Sequence, residues 1–288
     1  MGSGKSLGVI LVLTILVVRV PIGSESSYSN SSWRGKRAAS GGPLLLTPLI
    51  QAGKISEAKW RAYVYHPEML KVKSYAGFFS VGADEDPNHL FFWYFPSKKD
   101  PVGAPVIAYI ESAFGVSSLY TLFAQNGPFS VNSDGSSLEL REESWNKKHH
   151  VIYMDSAVGS GFSYTEKDTG YPQTLKEVGN RVCKAVLQYF QMFPHLREND
   201  FYLAGETFAG KLIPEVALCI QDYNFHEIEM ETAAKKHSKY MLGFANDNKK
   251  IKLQGIVIAN GYTHPETQLK YAQYFLDMKK IVLSEKTP

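Results

Sequence analysis

The sequence is poor in cysteine, in uninterrupted apolar runs and in charge of one sign, and each shortage closes off a class of protein. Two cysteines, Cys183 and Cys219, cannot build a disulfide-rich scaffold or a multi-cysteine zinc site. The eight histidines are scattered, with no metal-ligand spacing. No metal and no cofactor are therefore expected. A formal net charge of +3 is small and dispersed, which leaves no basic stripe for nucleic acid. Lys235-Lys236 and Lys249-Lys250 read as solvated loop charge. No apolar stretch reaches the roughly 20 residues of a membrane span, so no membrane anchor is expected. Internal repeats and low-complexity blocks are also lacking.

What is present begins with a leader. Lys5 precedes an apolar run from Leu7 to Val18, which Arg19 ends, and small residues follow at Gly23 and Ser24. That is the layout of a secretory signal peptide over residues 1–24, and it directs the chain to secretion or to a lysosomal or vacuolar compartment. Residues 25–41 read as a linker or propeptide. They carry the glycosylation acceptor Asn30 in Asn30-Ser31-Ser32 and the basic cluster Arg34-Gly35-Lys36-Arg37. The cluster fits a proprotein cleavage site and a solvated linker equally well. Residues 42–288 form one globular domain, since 44% hydrophobic and 20% charged residues give an ordinary balance of core and surface. Each cysteine falls inside a predicted helix. In an oxidising compartment they fit a disulfide, and two buried thiols packed as small hydrophobes fit as well.

Along that domain, Tyr75 to Val81 and Leu90 to Phe95 are β-rich and flank the turn-forming cluster 83–88, which predicts an antiparallel pair. Val106 to Ile110 and Val151 to Met154 are continuous apolar runs, as in parallel strands buried on both faces. From Gln173 the period changes: Val178, Val182, Val186, Leu187, Phe190 and Phe193 recur at helical spacing until Pro194. Asp222 to Lys250 is a polar stretch. Gly255 to Asn260 reads as one more strand, and Thr267 to Leu283 as a helix. The order predicts an α/β fold, a mostly parallel sheet with helices on both faces.

One stretch carries chemistry. Phe201 to Ala204 reads as a buried strand, Gly205-Glu206-Thr207-Phe208-Ala209-Gly210 as a tight turn, and Leu212 to Ile220 as a helix. Strand, small-residue turn and helix make the setting of a nucleophile elbow, whose small residues let the backbone pass closely. Thr207 stands where the motif expects serine.

With the elbow in place, the sequence resembles the serine carboxypeptidase family, in particular its vitellogenic carboxypeptidase-like branch. The resemblance rests on Gly42-Pro43-Leu44; Ser74-Tyr75-Ala76-Gly77-Phe78; Leu90-Phe91-Phe92-Trp93-Tyr94-Phe95; Asn126-Gly127-Pro128-Phe129; Asp155 with Val158 to Tyr164; Phe193-Pro194 with Asn199 to Tyr202; the elbow; and Gly261-Tyr262-Thr263 with Pro265-Glu266. It implies an α/β-hydrolase fold and descent from exopeptidases that release C-terminal residues from peptides, with a peptide as the expected ligand.

The resemblance also implies a degenerate site. The nucleophile position is Thr207, whose extra methyl sits on a turn that disfavours β-branching. The acid and histidine partners lie in the family well beyond the elbow, after an inserted cap, and Pro288 comes about where that cap begins. None of His226, His237 and His264 matches the family's catalytic-histidine context. Loss of nucleophile or base costs on the order of 10⁶ in turnover. The oxyanion-hole positions are Ala113 and Phe208, in a loop Glu111-Ser112-Ala113-Phe114-Gly115 that has lost the family's Gly-Gly-Pro-Gly. Positions that hold a substrate carboxylate in the family are Glu111, in place of an amide, Gln125, in place of a glutamate, and Glu206. Three functional readings follow: an inactive family member, an active carboxypeptidase whose full-length product carries a further C-terminal half, and an interaction protein. The domain is expected to be C-terminally truncated relative to the family, leaving the strand at 256–259 on the sheet edge for a partner chain to cover.

Overall fold

The computed structural model describes residues 42–82, 88–111, 115–232, 250–271 and 274. The leader, the linker with Asn30, the turn at 83–87, Ala113 and most of the helix expected after Thr267 lie outside these residues.

Two short helices, α1 (Thr47–Gln51) and α2 (Ile55–Ala62), lead into β1 (Tyr63–Val64), β2 (Ser74–Ser80) and β3 (Asn88–Phe95). These three strands are antiparallel neighbours, with Phe78 opposite Phe91 and Ala76 opposite Trp93. Next come β4 (Val106–Glu111), α3 (Ser118–Thr121), a π-helical turn at Leu122–Asn126, and the separate hairpin β5 (Phe129–Val131) with β6 (Leu138–Leu140). The remaining elements are β7 (His150–Asp155), β8 (Tyr164–Thr165), α4 (Leu175–Met192), β9 (Phe201–Glu206), α5 (Ala209–Thr232), β10 (Leu253–Ala259) and α6 (Pro265–Lys270). The main sheet runs β1-β2-β3-β7-β4-β9-β10, and β8 pairs with the start of β3. From β7 through β10 every pairing is parallel. Strands and helices alternate there, because a parallel neighbour can be reached only by a crossover.

The continuous apolar runs are strands buried on both faces. Along β3, Leu90, Phe92 and Tyr94 enter a core with α1, α2, α4 and α5. Phe91, Trp93 and Phe95 point the other way, into a smaller aromatic core with Leu119, Phe123, Phe129 and Tyr153. Period two over two buried faces leaves no position for a polar alternation.

The helix read from Gln173 is α4. Thr174 caps it, its Oγ1 accepting from the Glu177 N–H at 3.2 Å, and it buries Val182, Val186, Leu187 and Phe190. Cys183 on α4 and Cys219 on α5 form a disulfide, with Cα atoms 6.2 Å apart. One sequence reading is corrected. The helix read over Leu212 to Ile220 is longer at both ends, because α5 runs from Ala209 into the polar stretch as far as Thr232. Tyr223 is drawn into the core, and the Asn224 side chain bonds both the N–H and the C=O of Ile251 at 2.9 and 2.8 Å. These tertiary contacts outweigh the local polarity. Among the described residues, no helix is long and apolar enough to cross a membrane.

Candidate functional site: the elbow and the sheet rim

The C-terminal ends of β7, β4, β9 and β10 share one rim. Glu111 is in register with Asp155, and Ala259 with Glu206. Strand alternation puts Asp155 with Tyr153, Glu111 with Tyr109 and Glu206 with Ala204, all toward the smaller aromatic core. Three carboxylates therefore share a face. Burial raises the Tyr109 phenol; a hydrogen bond with Thr121 offsets part of this, and the charges of Glu111 and Glu206 push it further up. Both glutamates are thus within electrostatic reach of one hydroxyl.

β9 turns into α5 through a sharp elbow. Thr207 is exposed and has φ 58°, the left-handed region that a β-branched residue rarely occupies. Its backbone is fixed from outside the turn. The Thr207 N–H donates to the Ala259 carbonyl at 3.0 Å, and its carbonyl accepts from the Tyr262 N–H at 2.7 Å. A Cβ added at Gly205 would lie 2.5 Å from the Ile110 carbonyl oxygen and 2.6 Å from the Ala209 Cβ. One added at Gly210 would lie 3.0 Å from the Tyr262 nitrogen. The small residues of the motif are therefore required by close backbone passage, as the sequence predicts.

The other sequence-derived positions are spread along the rim. Glu111 is buried, and its Oε2 accepts from Thr121 Oγ1 at 3.2 Å. Glu206 is half-buried, and its Oε1 accepts from Asn260 Nδ2 at 3.2 Å. Gln125 is exposed on the π-helical turn that follows α3. Phe208 is half-buried directly behind Thr207. Its oxyanion-hole counterpart, Ala113, lies outside the described residues. His264 is occupied in capping α6: its Nδ1 accepts from the Thr267 N–H at 3.2 Å. No described histidine is hydrogen-bonded to Thr207.

Asp155 has a role that the sequence pattern did not assign. It is fully buried and accepts from Ser117 Oγ at 2.7 Å, the Ser118 N–H at 2.8 Å and the Phe162 N–H at 2.8 Å. One carboxylate thus ties the loop after β4 to the loop after β7. Burial raises its carboxyl and those three hydrogen bonds pull it only part of the way back, which leaves it raised to about 6. Asp155 was visible in the sequence only as one residue of the segment with Val158 to Tyr164 that carries the resemblance; its contacts are non-local. The contribution of Tyr262 to the elbow was equally hidden, because it acts through a backbone N–H. Among the described residues, no group of three or more His, Cys, Asp or Glu could hold a metal ion.

With this geometry in place, comparison with known proteins decides the lineage. The family model described as serine carboxypeptidase matches residues 66–287. The chain belongs to the serine carboxypeptidase family. It is 41% identical over 236 residues to the venom serine carboxypeptidase of Apis mellifera, a match covering 82% of this chain and 46% of that protein. It is 39% identical over 245 residues to the vitellogenic carboxypeptidase of Aedes aegypti, covering 85% and 47% respectively. Among solved structures, Kex1(delta)p, a prohormone-processing carboxypeptidase from Saccharomyces cerevisiae, superposes with a TM-score of 0.60 at 28% identity, covering 74% of this chain and 44% of that one. The chain thus spans about half the length of these relatives. The mixed, mostly parallel sheet with flanking helices is the fold expected from the resemblance.

Proposed function

We propose that this member of the serine carboxypeptidase family has lost peptidase catalysis and keeps the rim beside the elbow as a cleft for peptides. The observation that carries the reading is Thr207. It holds the left-handed backbone that an elbow nucleophile occupies, but with a branched Cβ in a turn already closed by Gly205, Ala209 and Gly210. The methyl that threonine adds to serine restricts the hydroxyl's rotamers and crowds the space where a tetrahedral intermediate would form. The carboxylate-binding positions support the same reading. Glu111 presents no amide donor where the family would hold a substrate carboxylate.

The Thr207 argument does not depend on where the polypeptide ends, so its test uses the longest chain that expresses. An N-blocked dipeptide is incubated with the parent, Thr207→Ala and Thr207→Ser proteins at mildly acidic and neutral pH. No turnover is expected from the parent or the alanine variant. Parent turnover that Thr207→Ala abolishes would refute the reading. The disulfide between Cys183 and Cys219 supports an oxidising, secretory location.

We also infer that β10 accepts a strand from a partner chain. It pairs only with β9 among the described residues, and its apolar Ile256 and Val257, on opposite faces, are 44% and 52% exposed. An edge strand that is apolar on both faces has the composition of an interior one. Strictly monomeric, well-folded behaviour in sedimentation velocity would overturn this inference.

A further inference from the structure

The short connection between β10 and α6 carries a chemistry of its own. We propose that Asn260 is a site of spontaneous deamidation, through attack by the backbone nitrogen of Gly261, and that its products loosen the elbow at Thr207. This chemistry is independent of whether the cleft binds peptides.

The chain contains two Asn-Gly pairs, Asn126-Gly127 and Asn260-Gly261. Asparagine is a thermally labile residue, and a following glycine has no Cβ to shield the amide nitrogen that attacks it. The fold treats the two pairs differently. Asn126 is buried, and its Oδ1 accepts from the Tyr153 hydroxyl at 2.7 Å. Asn260 is exposed just beyond the end of β10. Its side chain makes one hydrogen bond among the described residues, from Nδ2 to Glu206 Oε1 at 3.2 Å, and in the open such a bond costs little to break. The Gly261 N–H donates to no group among the described residues, while its carbonyl accepts from Gln268 Nε2.

The backbone explains why a labile pair stands here. Asn260 has φ 48°, the left-handed region that asparagine enters more readily than most side chains. A Cβ on Gly261 would lie 2.5 Å from Cγ2 of Ile258, a stiff β-branched side chain, so glycine is required next to it.

The reaction needs no oxidant and no cofactor. The Gly261 nitrogen attacks Asn260 Cγ, the new N–C bond closes a succinimide ring, and the bond from Cγ to Nδ2 breaks. Ammonia leaves with the proton that the Gly261 nitrogen gives up. Water then opens the ring. Cleavage between the nitrogen and Cγ leaves aspartate. Cleavage between the nitrogen and the backbone carbonyl carbon leaves isoaspartate, whose main chain runs through the β-carbon and is longer by that atom.

Position couples this to the elbow. Thr207 is held by the Ala259 carbonyl, which accepts from its N–H at 3.0 Å, and by the Tyr262 N–H, which donates to its carbonyl at 2.7 Å. Asn260 and Gly261 are the residues between those two anchors, so an extra main-chain atom there shifts one anchor against the other. Aspartate has a second effect, because it replaces the amide donor facing Glu206 with another carboxylate.

The test incubates the full chain at physiological temperature and mildly alkaline pH, both folded and in concentrated urea. Digests are then read by mass spectrometry and by enzymatic methylation of isoaspartate. In the folded chain Asn260 is expected to convert about tenfold faster than Asn126, which must first open locally; in urea the two are expected to convert at similar rates. Hydrogen exchange at the Thr207 N–H is expected to be about tenfold faster in the isoaspartate form than in the fresh chain. Asn260→Gln, whose longer side chain closes the ring far more slowly, is expected to keep the fresh chain's exchange through the same incubation. Equal conversion of the two asparagines in the folded chain, or an intact Asn260 once the urea sample has reacted, overturns the site. Unchanged Thr207 exchange in the isoaspartate form, or the same loosening in incubated Asn260→Gln, overturns its coupling to the elbow.

Discussion

Removing the bridge between Cys183 and Cys219 gives the most direct test of what holds the two helices behind the elbow together. The cysteines are 36 positions apart in sequence. Loop-closure entropy for a ring of that size restrains the unfolded chain by about 3.8 kcal/mol at room temperature. For a domain of this size, that corresponds to a fall in Tm of roughly 8–15 °C. Cys183 is fully buried, so its replacement adds a packing cost that has to be separated from the entropic one. The experiment therefore compares three samples by urea unfolding: the oxidised chain, the same chain under reductant, and the Cys183→Ala/Cys219→Ala double variant. The step from oxidised to reduced reports the cross-link, and the step from reduced to double variant reports the lost sulfur contacts. The unfolding slope is expected to increase once the cross-link is gone, because the unfolded chain exposes more surface. A loss below 1 kcal/mol on reduction would refute the reasoning. It would mean that the unfolded chain already keeps α4 and α5 together.

Two further perturbations probe the rim and the core. Gly205→Ala is expected to cost ~3 kcal/mol in urea unfolding, since the new methyl meets a backbone oxygen and a Cβ that cannot swing aside; Gly255→Ala, which meets only the Tyr202 ring at 3.6 Å, should cost under about 1 kcal/mol, and equal costs would refute the close-passage argument. His150 is buried and bonded to the Tyr94 hydroxyl at 2.7 Å, and burial holds its pKa down to about 4. The unfolded chain takes up that proton near pH 6.5 and the folded chain does not, so stability is expected to fall from pH 6.5 toward 4, by on the order of 3 kcal/mol from this group. Asp155 acts with the opposite sign: its raised folded-state pKa gives stability that is present at low pH and lost as pH rises through about 6. The measurement is therefore the difference in pH slope between the parent and His150→Gln, and identical slopes would refute the assignment.

Much of this architecture was legible in the sequence because it is local. The β-rich run along β3, the helical spacing along α4 and the glycines around Thr207 each state their own geometry, since a buried strand, an amphipathic helix and a sharp turn admit few residue types. The elbow was visible for the same reason, and so was the loss of serine at its centre. The continuation of α5 past Asp222 was not, because Tyr223 and Asn224 are held by contacts to the core and to Ile251 that no nearby residue announces.

The sequence by itself determined the lineage, the order of the longer strands and of α4 and the elbow helix, and the residue at the nucleophile position, because short-range sterics and hydrophobic period write these directly into composition and spacing. Only the tertiary structure decided that the two cysteines are bridged, that Asp155 joins two loops, and that Glu111 and Glu206 bear on the same tyrosine. Those facts depend on distances between segments far apart in the chain, and such distances are set by how the whole sheet packs against its helices.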